Sequence, residues 1–201
     1  MAGTQGENYA RRLTTLSGAR WKRVLNVQAP YQWNLRRHQL GRTLDVGCGI
    51  GRNLGSLAAG SVGVDHNESS IAVARAAGHE AYTTAEWSEQ APCSPGSFDS
   101  LLIAHVIEHM SPEEGLGLVR DYLGFVRPGG KVLFICPQER GYASDETHER
   151  WTTGPDLEEL AREVGLDPDR WRSFPFPRWV GKVFTYNEFN LLARVPSGSR
   201  G

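Results

Sequence analysis

The chain has 201 residues, of which 39% are hydrophobic and 22% charged, and its formal net charge is −1. This length and composition are typical of one globular domain and exclude a disordered or fibrous protein. The nearly balanced charge gives no overall electrostatic preference for nucleic acid or for an anionic membrane. We therefore expect neither as a partner, and the sequence predicts no particular oligomeric state.

The cysteines and the hydrophobic runs predict the compartment. Cys48, Cys93 and Cys136 are odd in number and form no C-x-x-C pair, so neither a disulfide framework nor a cysteine metal site is predicted. The first residues lack an apolar signal core, and no run of about 18 apolar residues occurs. These features predict a cytoplasmic protein that does not span a membrane.

Residues 1–40 are predicted to form a helical cap. A helix is expected over residues 9–25, and a second helix over residues 31–37 begins after Pro30, which suits a first helical turn.

The stretch Thr43-Leu-Asp-Val-Gly-Cys-Gly-Ile-Gly51 predicts a buried strand that ends in a tight turn. Glycine permits positive φ and leaves no Cβ in the way of a ligand. Residues 52–59 are expected to begin a helix, whose first amide groups would point towards the same ligand. The sequence therefore predicts a nucleotide-type site here.

Strand and helix patterns alternate after this stretch. Strands are expected over residues 61–65, 80–83, 98–104 and 131–136, and helices over residues 69–77 and from Ser111 and Pro112 to about residue 125. This alternation favours an α/β domain with a mainly parallel sheet.

The last third follows a different pattern. Residues 137–153 are predicted to form a polar loop and residues 155–164 a helix, followed by two strand-like runs on either side of Pro175 and Pro177, the second over residues 183–192. Two successive strands imply a hairpin, and hence an antiparallel part of the sheet. We expect one domain with a cap (1–40), a cofactor-binding core (41–136) and a substrate loop, helix and hairpin (137–195).

The spacing of the glycines narrows the ligand. A dinucleotide site needs G-x-G-x-x-G, but Arg52 occupies the position of the third glycine. Asp45 would repel a pyrophosphate, whereas it suits a ligand with a positive amino group. Asp65, at the end of the second strand, can accept both ribose hydroxyls. Together they favour a nucleoside with a cationic amino-acid tail.

At this point the sequence resembles the class I S-adenosylmethionine-dependent methyltransferases. The resemblance rests on residues 45–51, 64–65, 97–99 and 126–133, and spans about residues 42–136. It implies a Rossmann-like, doubly wound sheet of seven strands, mainly parallel with an antiparallel C-terminal strand. It also implies S-adenosylmethionine as cofactor and S-adenosylhomocysteine as product, in a small enzyme similar to the ubiquinone-type O-methyltransferases.

The resemblance implies cofactor contacts by position. Asp45 would lie near the amino group, Asp65 would hold the ribose and His66 would lie beside the adenine. The full set of expected cofactor-binding residues is Asp45, Gly47, Cys48, Gly49, Asp65, His66, Ala85, Glu86 and Ala104.

Histidines supply the candidate catalytic groups. His105, His109 and His148 could each accept a proton near neutral pH, and His105 and His148 are the preferred catalytic residues. They favour O-methylation, with N- or C-methylation as alternatives. No separate substrate domain is present, which favours a small-molecule acceptor. Arg170, Arg172, Arg178 and Lys182 lie among aromatic residues, and we interpret them as surface charges, with an acidic acceptor as the alternative.

The segment from His105 to His109 also matches the H-x-x-E-H pattern of zinc peptidases. That motif needs a helix, and here a strand precedes it, so we reject a peptidase. Glu108 and His109 also resemble the metal-binding pair of some O-methyltransferases, with His148 to complete the set. We predict no metal, and keep a metal-assisted RNA 2′-O-methyltransferase and an inactive cofactor-binding scaffold as alternatives.

Overall fold

The computed structural model describes residues 28–89 and 92–198. The chain divides into two compact units, and the boundary falls between Pro92 and Cys93. The helix predicted over residues 9–25 lies outside the described residues.

The described part of the first unit alternates helices and parallel strands. Its elements are α1 (Ala29–Arg37), β1 (Thr43–Val46), a 3-10 turn (Leu54–Ser56), β2 (Val62–Asp65), α2 (Glu68–Ala76), β3 (Ala81–Thr83) and α3 (Thr84–Glu89). β2 lies between β1 and β3 and pairs with both in parallel. The predicted strands and the helix after Pro30 are confirmed.

Local sequence explains where α2 begins and ends. The side chain of Asn67 accepts a hydrogen bond from the Ser70 amide and caps the first turn. Gly78 follows the helix with a φ of +87°, a conformation that suits glycine and ends the helix.

The helix predicted over residues 52–59 is wrong. The chain forms only a 3-10 turn, and Leu57 is already extended at its end. No side chain caps the turn at Asn53, and Gly55 in its centre has a poor helix propensity. Without a side-chain cap and with Gly55 at its centre, this short segment does not extend into an α-helix.

The second unit contains the remaining strands. Its elements are β4 (Phe98–Ala104), a 3-10 turn (Ile107–His109), α4 (Pro112–Leu123), β5 (Val126–Pro137), α5 (Glu139–Tyr142), α6 (Gly154–Glu163), β6 (Asp167–Pro168), β7 (Arg172–Phe174), a 3-10 turn (Arg178–Lys182) and β8 (Glu188–Arg194). β4 and β5 are parallel, and β8 pairs antiparallel with β5, β6 and β7. The predicted hairpin is thus confirmed as β7 and β8.

Capping boxes fix the starts of the two long helices in this unit. Ser111 and Glu114 bond reciprocally at the start of α4, as do Thr153 and Asp156 at the start of α6.

The core of the sheet is fully buried, and Leu102, Leu133 and Leu191 are 0% exposed.

The α/β fold class, with parallel strands followed by antiparallel C-terminal strands, is confirmed. Eight strands occur among the described residues, where seven were expected, because the short strands β6 and β7 both pair with β8. The strand predicted from residue 183 begins only at Glu188, and β5 begins at Val126, before the start of the strand predicted over residues 131–136. None of the helices in the described ranges is long and apolar enough to cross a membrane.

Candidate active site

A glycine turn follows β1 and closes over the end of β2. Gly47, Gly49 and Gly51 have φ angles of +78°, +53° and +80°, in the left-handed region that favours glycine. The amides of Gly47 and Cys48 both donate to the carbonyl of Val64, at 2.8 and 3.1 Å. The predicted tight turn is therefore confirmed. Gly47 and Gly49 carry no side chain that would obstruct a ligand, whereas the His79 ring packs against Gly51.

Cys48 contributes its main chain to this turn, because its side chain packs in the core. A Cβ added at Gly63 would lie 2.6 Å from the Cys48 sulfur, and Leu54 packs in the same cluster. Burial raises the pKa of the Cys48 thiol, and the charges of Asp45 and Asp65 raise it further. The thiol is thus protonated and buried, so any cofactor contact of Cys48 is made by its backbone.

Asp45 has a buried carboxyl group whose hydrogen-bonding capacity is unmet. The residue is 1% exposed, and neither carboxyl oxygen has a hydrogen-bond partner among the described residues. Burial, together with the charge of Asp65, raises the pKa of Asp45 to about 7, and a weaker interaction with the Asn53 side chain, outside hydrogen-bonding geometry, opposes the rise. A buried carboxylate is costly unless it meets a positive group. Asp45 therefore suits a ligand with an amino group.

Asp65 ties the glycine turn to the start of α2. One carboxylate oxygen accepts the Gly49 amide at 2.8 Å, and the other accepts the Asn67 amide at 2.8 Å. Each oxygen retains a further lone pair that could accept a ribose hydroxyl. His66, the next residue, is exposed, and its Nδ1 lies 3.6 Å from Asp65 Oδ1.

The segment after β3, predicted to lie at the adenine edge, begins α3. Glu86 accepts hydrogen bonds from the Thr83 amide at 2.7 Å and from the Arg75 guanidinium at 2.7 Å. The hydrogen bond from Arg75, followed by that from Thr83, lowers the pKa of Glu86. Thr83 and Glu86 thus form a capping box for α3, so the Glu86 carboxylate is engaged by the protein, and its contact with adenine stays a prediction. Ala85 is exposed beside it.

In the second unit, His105 directly follows Ala104 at the end of β4. Its φ of +59° is unusual for a residue with a Cβ, and its amide donates to the Ile135 carbonyl at 2.9 Å. Two carboxylates hold the half-exposed imidazole: Nε2 lies 3.0 Å from Glu188 and Nδ1 lies 3.3 Å from Glu108.

These carboxylates determine the charge of His105. Desolvation lowers the pKa of His105, but the hydrogen bonds and charges of Glu108 and Glu188 outweigh it and raise the pKa to about 10. At neutral pH the ring is an imidazolium without a lone pair to accept a proton. This arrangement argues against His105 as a general base, and it makes His105 a fixed positive charge at the end of β4.

His109 and His148 are held in a different way. Nδ1 of His109 donates to the Thr147 carbonyl at 2.9 Å, and Nδ1 of His148 donates to the Tyr142 carbonyl at 2.7 Å. Each ring therefore keeps Nε2 as its acceptor nitrogen. The ring centroids are 4.7 Å apart, and Tyr142 stacks on His148 with an interplanar angle of 16°.

Glu108, His109 and His148 form one cluster. One ligand atom from each lies within 4.8 Å of the others, and Glu108 is fully buried. The structure thus brings together the three residues of the metal interpretation. A peptidase motif needs a helix here, whereas this segment forms a single 3-10 turn.

Glu188, which holds His105, was not predicted from the sequence. Its local signal was an acid at the start of an apolar strand.

Comparison with known proteins agrees with this fold and turn. Residues 44–134 match the sequence model of a family described as a methyltransferase domain. No curated protein matches the chain by sequence. A solved S-adenosylmethionine-dependent methyltransferase from Archaeoglobus fulgidus is similar, with 18% identity, coverage of 82% of this chain and 92% of its own, and a TM-score of 0.64.

Two further solved structures share the fold. A putative methyltransferase from Bacillus halodurans C-125 is 16% identical over 82% of this chain and 98% of its own, with a TM-score of 0.63. The 1,6-didemethyltoxoflavin-N1-methyltransferase of Burkholderia thailandensis, solved with its acceptor and S-adenosylhomocysteine, is 20% identical over 93% of this chain and 88% of its own, with a TM-score of 0.60.

The fold and the match over residues 44–134 support a class I S-adenosylmethionine-dependent methyltransferase, and hence an enzyme. The first unit fits the cofactor that such enzymes use, since the oxygens of the buried Asp45 carboxyl group make no hydrogen bond and Gly47 and Gly49 beside it carry no side chain.

Asp65 provides a test of the cofactor half of the site. We expect Asp65→Ala to weaken the binding of S-adenosylhomocysteine by roughly 1.5–3 kcal/mol, because hydrogen bonds to a charged group are lost and the Gly49 amide is released. Isothermal titration measures the change. Glu68→Gln, an exposed change in the first turn of α2, is the control and should leave the affinity unchanged. Unaltered affinity in Asp65→Ala would refute the ribose role.

Proposed function

We propose that the chain methylates oxygen in a small-molecule acceptor, with His148 as the general base. The observation that supports this most is the pair His109 and His148, whose Nδ1 atoms are fixed by backbone carbonyls and whose Nε2 atoms are left as acceptors. A hydroxyl acceptor must lose a proton as it is methylated, and a neutral imidazole can take it.

Each residue of the site has a separate role in the proposed methyl transfer. S-adenosylmethionine supplies a methyl group activated on a sulfonium centre. Asp45 would bind the amino group of this cofactor and Asp65 its ribose, while the glycine turn would let the backbone approach it. His148 accepts the hydroxyl proton at Nε2, and its imidazolium returns that proton to solvent, which its half-buried position permits. His105, already protonated, contributes fixed positive charge to the acceptor side.

A screen of acceptors tests the choice of oxygen. Matched sets of phenols, alcohols and amines are incubated with S-adenosylmethionine, and the S-adenosylhomocysteine formed is quantified, with Asp45→Asn as the inactive control. We expect turnover with hydroxyl acceptors. Methylation of amines alone would overturn the proposal, and the fold does not decide the question, because the similar Burkholderia enzyme is named as an N1-methyltransferase.

The expected compartment is the cytoplasm. All three cysteines, Cys48, Cys93 and Cys136, are free thiols, and two of them are buried, which suits reducing surroundings.

The cluster of Glu108, His109 and His148 favours a second candidate, a metal-assisted O-methyltransferase such as an RNA 2′-O-methyltransferase. Metal-binding histidines usually donate their other ring nitrogen to a carbonyl or a carboxylate, as both histidines do here. A divalent cation would polarise an acceptor hydroxyl and lower its pKa. If Nε2 of His148 binds a metal ion, its lone pair cannot also accept a proton, so the metal-binding role excludes His148 as the general base.

Titration with Mn²⁺ and Zn²⁺ separates the two candidates. If a metal binds, His148→Ala should weaken its binding by about tenfold or more, in line with the loss of one of three ligands. His79→Ala, a histidine of the first unit outside the cluster, is the control. Full methyl transfer after exhaustive chelation would leave only the metal-free mechanism.

A further inference from the structure

Exposed apolar side chains are concentrated in one short segment of the second unit. Five large hydrophobic side chains are exposed in the described ranges, and four of them lie between residues 176 and 186. They are Phe176, Trp179, Val183 and Tyr186, exposed by 47%, 68%, 71% and 56%, and we call this set the apolar platform. A cluster of exposed apolar side chains usually marks a binding surface.

A buried polar network fixes the segment to α5. Gln138 is fully buried, and its amide group donates to Ser173 at 2.8 Å and to the Glu188 carbonyl at 2.9 Å. The Asn187 amide donates to the Gln138 side chain at 2.9 Å, and the Asn187 side-chain oxygen accepts the Phe176 amide at 2.9 Å. The platform is therefore held in place before any ligand arrives.

An ion pair and aromatic contacts add to this support. Arg178 makes two hydrogen bonds to the Glu139 carboxylate, at 2.6 and 2.7 Å. Phe184 packs edge-on against Phe176 and Tyr186, with centroids 5.4 and 5.7 Å apart. A rigid surface binds a ligand with a smaller entropic cost than a mobile loop does.

The segment between Asp169 and Glu188 carries four positive charges, on Arg170, Arg172, Arg178 and Lys182, and no negative one. Glu139 pairs with Arg178 and also interacts electrostatically with Lys182, which leaves one net positive charge among these three groups. The side chains of Arg170, Arg172 and Lys182 are exposed. Trp179 and Lys182 are three residues apart in a 3-10 turn, a spacing that places their side chains on the same side.

The segment also leads directly into the acceptor side of the site. Glu188, the residue after Asn187, pairs with Pro137 at the carboxyl end of β5, and its side chain holds His105. Ligands of open α/β sheets bind at the carboxyl ends of the strands. The platform therefore lies within the second unit at the end where an acceptor would enter.

We propose that the acceptor is an anionic amphiphile, with its apolar part on the platform and its anionic group at Lys182. This inference rests on the proposed small-molecule methyltransferase function and names the chemical class of its acceptor. Charge complementarity selects an anion over a neutral or cationic molecule. A second copy of the chain is disfavoured as occupant, because a twofold contact would place like charges of the two copies against each other.

Isothermal titration with three probes tests the proposal on the full chain. Octyl phosphate, below its micellar concentration, combines an apolar chain with an anion, octyltrimethylammonium reverses the charge, and inorganic phosphate lacks the chain. We expect octyl phosphate to bind about tenfold tighter than either control, since both parts contribute. Equal affinity for the cationic probe, or for inorganic phosphate alone, would overturn the proposal.

Variants locate the binding surface. Trp179→Ala and Lys182→Gln should each weaken octyl phosphate binding by about fivefold or more, as expected for a central aromatic anchor and its charge partner. Trp33→Ala and Arg120→Gln change an exposed tryptophan and an exposed arginine elsewhere, and should have no effect. Circular dichroism confirms that each variant is folded.

Three further outcomes are decisive. In assays with an acceptor from the screen, octyl phosphate should raise the KM for that acceptor and leave the Kd for S-adenosylhomocysteine unchanged. If methyl transfer occurs but the KM does not change, this proposal fails while the methyltransferase function stands. Binding to phosphatidylglycerol vesicles without binding to monomeric octyl phosphate would assign the platform to a membrane surface instead. A dimer that Trp179→Ala dissociates would assign it to a second copy.

Discussion

Asp45→Asn is expected to weaken the binding of S-adenosylhomocysteine by about 100-fold and, at the same time, to stabilise the ligand-free protein above neutral pH. The loss of affinity follows from removing a buried charge that pairs with the ligand's amino group. Isothermal titration at pH 8 measures this effect. Retained affinity would show that the amino group binds elsewhere.

The gain in stability follows from the raised pKa. The pKa of Asp45 rises from 3.8 to about 7 in the folded protein, so the unfolded chain releases this proton more readily. The wild type therefore loses stability as pH rises from about 4 to about 7, by about 4 kcal/mol in total at 1.36 kcal/mol per unit. Asparagine carries no charge, so the variant avoids this loss.

Urea unfolding between pH 4 and pH 8 measures the difference. The free energy of unfolding of Asp45→Asn, relative to the wild type, should increase up to about pH 7 and then level off. Asp121→Asn, an exposed change on α4, is the control and should show no such trend. A flat difference for Asp45→Asn would contradict the raised pKa.

The second large effect is expected at His148. We expect His148→Ala to lower kcat by about 100-fold through the loss of the general base, with the Kd for S-adenosylhomocysteine unchanged. Steady-state kinetics with an acceptor from the screen measure the change in kcat.

His105→Gln is the matched comparison. Nε2 of His105 donates to Glu188, and Nδ1 forms an ion pair with Glu108, so neither nitrogen is available to take a proton and the replacement should lower kcat less than His148→Ala does. If His105→Gln lowers kcat by more than His148→Ala does, the assignment of the base is reversed.

The glycine turn could be predicted because its signal is local. The strand, the glycine spacing and Asp45 all lie within residues 43–51, and positive φ at three glycines follows from steric rules. The capping box of Thr83 and Glu86 is equally local, since T-x-x-E is its sequence pattern.

The charge of His105 could not be predicted, because one of its partners is remote in sequence. Glu188 lies 83 residues further along, and only the pairing of β8 with β5 brings it to His105. The start of β8 was mispredicted for a similar reason. Residues 183–186 have high β-propensity. However, Arg178 before them bonds to Glu139 of α5, and Asn187 after them bonds to Gln138, the N-cap of α5, and these bonds hold residues 178–187 outside the sheet.

The position of β8 has a consequence for how the second unit is synthesised. β8 is the common partner of β5, β6 and β7, and it leaves the ribosome after all of them. Until residues 188–194 emerge, β5 presents an unpaired apolar edge, which is a known cause of aggregation during translation. The sheet of the second unit is therefore completed only near the end of translation. If translation stalls before residue 188, the nascent chain would depend on chaperones.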